Sequence, residues 1–81
     1  MALYTIYWRD DLNYEPGEEF EEFRVYAKNK TEARDKGKRK AFRNQLKEYN
    51  YRIKQRKKGD MIPLMKKPKL KYIVIEDVEK E

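Results

Sequence analysis

The chain has no cysteine, no histidine and no serine. Those absences remove disulfides, thiolate and imidazole metal sites, and the Ser-His and Cys-His nucleophile systems. Its three glycines stand apart, so no glycine-rich phosphate loop is present. No apolar run approaches the roughly 20 residues that cross a bilayer. The opening "MALYTIYWRDD" has neither a basic region nor a long apolar stretch and does not read as a secretory signal. What remains for chemistry is carboxylates, lysine and tyrosine. Asp10, Asp11, Glu15, Glu18 and Glu19 offer oxygen ligands of the kind hard cations take, but without a recognised ligand spacing. The expectation is a non-enzymatic protein without metal or cofactor, in a reducing, cytoplasmic setting, or the host cytoplasm if it is viral.

At 81 residues there is room for one domain, spanning residues 1–81, with a thin core: 38% of residues are hydrophobic and 44% charged. Aromatics, at 14%, supply much of the apolar area available to it. The net charge of +6 is unevenly spread. Residues 36–58 hold eleven bases and one acid, a balance of +10, whereas the rest hold ten bases and fourteen acids, a balance of −4. Basicity is therefore regional.

"LYTIYWR" (3–9) is rich in β-branched and aromatic residues and reads as a strand. Tyr4, Ile6 and Trp8 fall on one face and Leu3 and Tyr7 on the other, the pattern of a central strand. After Pro16-Gly17, a turn signal, residues 19–28 form a second strand, with Phe23, Val25 and Ala27 opposite Arg24, Tyr26 and Lys28. The two make an antiparallel hairpin. Asn29 or Thr31 caps a helix that starts at about residue 31 and runs to about residue 57, before Gly59. A rival reading stops the helix near Asn50 and makes "YRIKQR" a short strand. The proline-bearing "DMIPLMKKPK" is an extended connector, and "LKYIVIEDV" (70–78) is a third strand before a short acidic tail.

The crossover from strand two through the helix to strand three is right-handed by rule, which makes those strands parallel. Strand one fits between them. The expected fold is α+β: a compact β-β-α-β domain whose three-stranded mixed sheet, order 2-1-3, packs on one long basic amphipathic helix. This element order resembles that of small modules in phage and ribosomal proteins, carried by "FRVYAKNKTEA" leading into the helix and "KYIVIEDV" closing the sheet.

Within the helix, Phe42, Leu46, Tyr49 and Ile53 fall within about 60° of one another and are the expected sheet-facing edge, extended by Gly37 and Ala41. Lys36, Lys40, Arg43, Lys47 and Lys54 form a second stripe, flanked by Arg39, Lys57 and Lys58. Like charges at i,i+4 repel and cost helix stability, and acids that would relieve them are placed elsewhere in the chain. Such a stripe suits counterion release on a phosphate backbone. The bland reading is a solvated lysine-rich face. Tyr51 could stack a base, and Asn44, Gln45 and Asn50 could touch base edges, though amides on a surface are more often filler. "KKPKLK" adds Lys66, Lys67 and Lys69, which either extend the stripe or guard a strand edge against aggregation. On the sheet face away from the helix, Tyr26, Tyr72 and either Tyr7 or Trp8 are candidates for base stacking, for a dimer or partner contact, or for cover by the loop around Tyr14.

Two functions follow as expectations. The first is a small accessory protein that binds DNA or RNA through the helix with little sequence specificity. The second is a phage or viral-type accessory protein that binds and inhibits a host protein or nucleoprotein machine. The expected state is a monomer, or a homodimer through the open sheet face, without a membrane role.

Overall fold

The computed structural model describes residues 1–15, 17 and 20–81, and follows the expected order: β1 (Ala2–Asp10), β2 (Glu21–Ala27), α1 (Lys30–Lys57), a 3₁₀ turn (Leu70–Tyr72) and β3 (Ile73–Lys80). The sheet order is β2-β1-β3. Both ladders are antiparallel, so the parallel relation of β2 and β3 holds between two edges that never pair. No helix among the described residues is long and apolar enough to cross a membrane. Residue 19, taken as the start of the second strand, and Pro16 of the expected turn lie outside the described residues. Gly17 has φ +91, a left-handed conformation that glycine adopts without the penalty of a Cβ.

The helix is continuous through Asn50, so the rival strand at residues 51–56 does not form. Asn29 caps it: its Oδ1 accepts the Glu32 N–H at 2.9 Å. Gly59, φ +95, follows the helix, and its N–H donates to the Arg56 carbonyl at 3.0 Å.

The helix meets the sheet through Gly37 and Ala41, as expected, but not through the large apolar residues expected beside them. Its buried residues are Ala33, Gly37 and Ala41, an arc about 150° from the centre of Phe42, Leu46, Tyr49 and Ile53. Those four are half-buried, and of them only Phe42 packs against the core. The reason is proximity. The sheet's inner face presents Tyr4, Ile6 and Trp8 from β1, and such bulk leaves room only for small residues on the opposing helix. A Cβ at Gly37 would lie 2.8 Å from Ile6 Cγ2 and 3.0 Å from Cγ1. Ile6 is fully buried and cannot swing aside. Gly37→Ala therefore destabilises the protein by about 1–2 kcal/mol, overpacking outweighing the gain in helix propensity. A thermal melt followed by circular dichroism checks this, and a raised midpoint would refute the close approach.

The third strand starts later and runs further than the expected residues 70–78. Residues 70–72 are a 3₁₀ turn, and the strand begins at Ile73 and takes in Glu79 and Lys80 of the supposed tail. A bulge sits opposite Tyr7 and Trp8: Ile75 pairs with Trp8 and Asp77 with Tyr7, leaving Glu76 unpaired. Strict alternation from Ile73 and Ile75 would bury Asp77 and expose Val78. The extra residue resets the phase, so Val78 is buried and Asp77 is exposed. Deleting Glu76 leaves a regular ladder with the same inward residues, so that variant stays folded with a cost of about 1 kcal/mol. Deleting Val74 instead turns Ile73 outward and costs several times more. Comparing the urea midpoints of the two deletions tests the register.

Past Phe42 the helix makes no further contribution to this core. Twenty-eight residues reach about 42 Å against about 30 Å for nine-residue β1, and the molecule measures 45 × 24 × 20 Å. The connector after the helix folds back along this overhang. Arg52 donates to the Pro63 carbonyl at 3.2 Å and Arg56 to the Ile62 carbonyl at 3.3 Å.

Candidate nucleic-acid interface

Cations leave α1 on two flanks, and the flanks do different work. Toward β2, Lys36 Nζ donates to the Tyr26 carbonyl at 2.9 Å and Lys40 Nζ to the Arg24 carbonyl at 3.4 Å. Both lysines thereby cover the free edge of β2, a position that otherwise invites pairing with another chain. Lys40 also sits 4.7 Å from the centre of the Phe23 ring, and Lys36 pairs with Glu32 at 3.0 Å. That pairing holds the Glu32 carboxyl below its usual range. On the other flank, Arg34 donates to the Ile75 carbonyl of β3 at 3.1 Å. The helix thus closes both sheet edges with its own long side chains.

Further along the β2 flank, Arg39, Arg43, Lys47, Tyr51, Lys54, Lys57 and Lys58 are all exposed. Among the described residues, no carboxylate pairs with any of these six cations. Glu48, the one acid in this region, is taken by Arg52 at 2.8 Å on the other side of the helix. Of the expected stripe, then, Lys36 and Lys40 are partly committed to the fold, and the remaining cations are free to meet a partner.

Alongside the first half of the stripe, α1 and β2 leave a shallow open groove lined by Arg24, Val25, Tyr26, Lys36, Arg39, Lys40 and Arg43. Among the described residues that line it are five cations and no acid. Arg24 was not among the expected site residues, although its alternation with Phe23 and Val25 places it on the outer face of β2. Only the packing of α1 across β2 brings it beside the helical cations.

The "KKPKLK" cluster does not join this surface. Arg52 and Arg56 hold the connector against the opposite flank of α1, about 160° around the helix from the stripe. Lys66 is fixed there through its backbone, its N–H donating to Asn13 Oδ1 at 2.8 Å and its carbonyl accepting from Asn13 Nδ2 at 3.1 Å. Lys67 and Lys69 are exposed beside it, and the Lys69 carbonyl accepts the Tyr72 N–H.

Other candidates have structural employment. Gln45 donates to Asp10 Oδ2 at 3.0 Å, which removes its amide from any base edge. Asp10 is 5% exposed and also accepts from the Leu12 N–H at 3.0 Å and Asn13 Nδ2 at 2.8 Å. Its carboxylate is a fold anchor, and among the described residues no group of three acids could hold a metal. Glu18 and Glu19 of that expected cluster lie outside the described residues.

The open sheet face is acidic. Glu22 on β2 and Glu76, Asp77, Glu79 and Glu81 along the third strand and its end are exposed, with Arg9 and Arg24 as the cations among them. Arg9 bonds to Asp11 and Glu76, and Arg24 lies 3.5 Å from Glu81. Tyr7 donates to Glu79 at 3.2 Å, which raises its phenol above the ordinary value. Trp8 points the other way and is buried beneath the helix. Of the sheet-face aromatics considered for base stacking, Tyr26 alone is well exposed, at 63%; Tyr7 and Tyr72 are half-buried. The chain matches no family model, no curated protein and no solved structure.

Proposed function

We propose that this protein is a non-enzymatic nucleic-acid-binding protein that lays the β2 flank of α1 along a phosphate backbone, with little sequence specificity. The observation that supports this is charge segregation. Six exposed helical cations run along one flank without an acidic partner among the described residues, while carboxylates crowd the open sheet face. A flank of that kind releases counterions when it meets phosphates, and the acidic face steers the same polyanion away from the sheet. Arginine and lysine on phosphate fix position without reading bases, hence the expectation of weak specificity.

Gel shifts with duplex DNA, single strands and structured RNA test the proposal. Retention that weakens as salt rises is expected, and absence of binding to all three at low salt would end it. Within the same assay, reversing Lys66, Lys67 and Lys69 together to Glu lowers affinity less than tenfold, because those residues stand on the opposite flank. A loss as large as that from the helical stripe would contradict the two-flank geometry.

The acidic sheet face favours a second reading, in which this face meets a basic protein surface, as in an accessory protein that inhibits a host machine. A pull-down after nuclease treatment separates the two. For self-association, pairing this face with itself about a two-fold axis sets carboxylates against carboxylates, which favours a monomer at low salt.

A further inference from the structure

Resting on that reading, we infer that the α1–β2 groove takes a single strand of nucleic acid, with one unpaired base stacked on Tyr26. Two observations converge there. The groove is cationic from both sides, Arg39 and Arg43 from the helix and Arg24 from the strand, so a backbone running along it is held from two directions once Arg24 exchanges Glu81, 3.5 Å away, for phosphate. At its lip stands Tyr26, the most exposed aromatic of the sheet. A cationic track with an aromatic platform is the arrangement that binds unpaired strands, since every base has a face to stack and none needs to be read.

Charge on the neighbouring face sets the width of the track. Arg24 and Tyr26 border the acidic sheet surface, with Glu22 on the same face of β2, Glu81 3.5 Å from Arg24, and Asp77 and Glu79 two strands away. Adjacent strands are about 4.8 Å apart, so these carboxylates stand within about 10 Å of the groove. That is about one Debye length at ordinary salt, close enough for repulsion to be felt. One phosphodiester strand fits between α1 and that surface. A duplex seated in the same groove brings its second strand of phosphates over the acids, and its paired bases offer Tyr26 no free face.

The test is fluorescence anisotropy of labelled homopolymer single strands, DNA and RNA, and of a hairpin duplex, at one fixed salt concentration. Wild-type protein binds the single strands more tightly than the duplex. Tyr26→Ala weakens single-strand binding about 5- to 150-fold, leaves the duplex little changed, and keeps the salt slope, because no phosphate contact is lost. Tyr26→Trp retains the affinity, and its emission is quenched on adding the strand, against a background from buried Trp8 alone. Equal or tighter duplex binding by the wild type overturns the inference. So does a silent Tyr26→Ala, or one that weakens both forms equally. In those outcomes nucleic-acid binding itself survives; a wild-type protein that binds none of the probes defeats both.

Discussion

Reversing Arg39, Arg43 and Lys47 to Glu lowers affinity for a single strand by about 100-fold at 0.1 M salt, and for a duplex by about 500-fold. These figures follow from counterion release, in which the binding constant varies as the salt concentration to the power of about −0.7 per phosphate contact for single strands and −0.9 for B-DNA. Three lost contacts then remove about two units of log K for a single strand. The introduced carboxylates deepen the loss. The three positions suit the purpose because all are exposed and none forms an ion pair among the described residues. Lys36 and Lys40 suit it less, since each also covers a carbonyl of β2 and its reversal confounds binding with folding. The triple variant melts close to the wild-type temperature, because the repulsive i,i+3 pairs Lys36–Arg39 and Lys40–Arg43 become attractive while positions 39, 43 and 47 still repel one another at i,i+4. Lost binding together with a lowered melting point would show that the stripe is structural.

Asp10→Ala has the largest expected effect on stability, about 3–5 kcal/mol. The buried carboxylate accepts from three donors, Leu12 N–H, Asn13 Nδ2 and Gln45 Nε2, and so ties the end of β1 to its following turn and to the helix. Asn13 in turn holds the connector at Lys66. Truncation leaves those donors facing a site without an acceptor, and an unmet buried donor costs about 1–3 kcal/mol. In a domain of this size each kcal/mol shifts the melting temperature by about 4–8 °C, so a fall of about 12 °C or more is expected. Asp10→Asn keeps one acceptor oxygen and should recover part of the loss. Far-UV circular dichroism during urea titration measures both. An Asp10→Ala midpoint within experimental error of the wild type would show that the knot at the end of β1 does not hold the helix in place.

Much of this architecture was legible from local signals. The two-faced apolar character of residues 3–9 placed the first strand at the centre, and the right-handed crossover rule then fixed the order β2-β1-β3. Asn29 and Gly59 marked the helix ends because capping is local chemistry. The helix face was misread because period locates the large apolar residues, whereas the contact here is set by how closely two backbones approach. Gly37 and Ala41 are legible as points of close approach, but the bulk of Tyr4, Ile6 and Trp8 opposite them, which adds Ala33 and turns Leu46, Tyr49 and Ile53 away from the core, is not. The bulge at Glu76 escaped for a similar reason, since its effect is the phase of Val78 against Ile6 on another strand. For the candidate interface, the wheel placed the helical cations on one flank, without showing that Lys36 and Lys40 bond to β2. It had no means of showing that Arg24 would join them across the groove, or that Lys66, Lys67 and Lys69 would be carried to the far flank by Arg52 and Arg56.

The central claim is that an unpaired cationic flank meets phosphate, and the salt dependence of binding tests it most directly. Affinity for a labelled single strand should be measured from 0.02 to about 0.3 M salt and plotted as log K against log salt concentration. Five or six contacts predict a straight line of slope about −3.5 to −4, and the Arg39, Arg43 and Lys47 reversal brings it to about −1.5 to −2. A slope near zero, or one that the reversal leaves unchanged, would contradict the account.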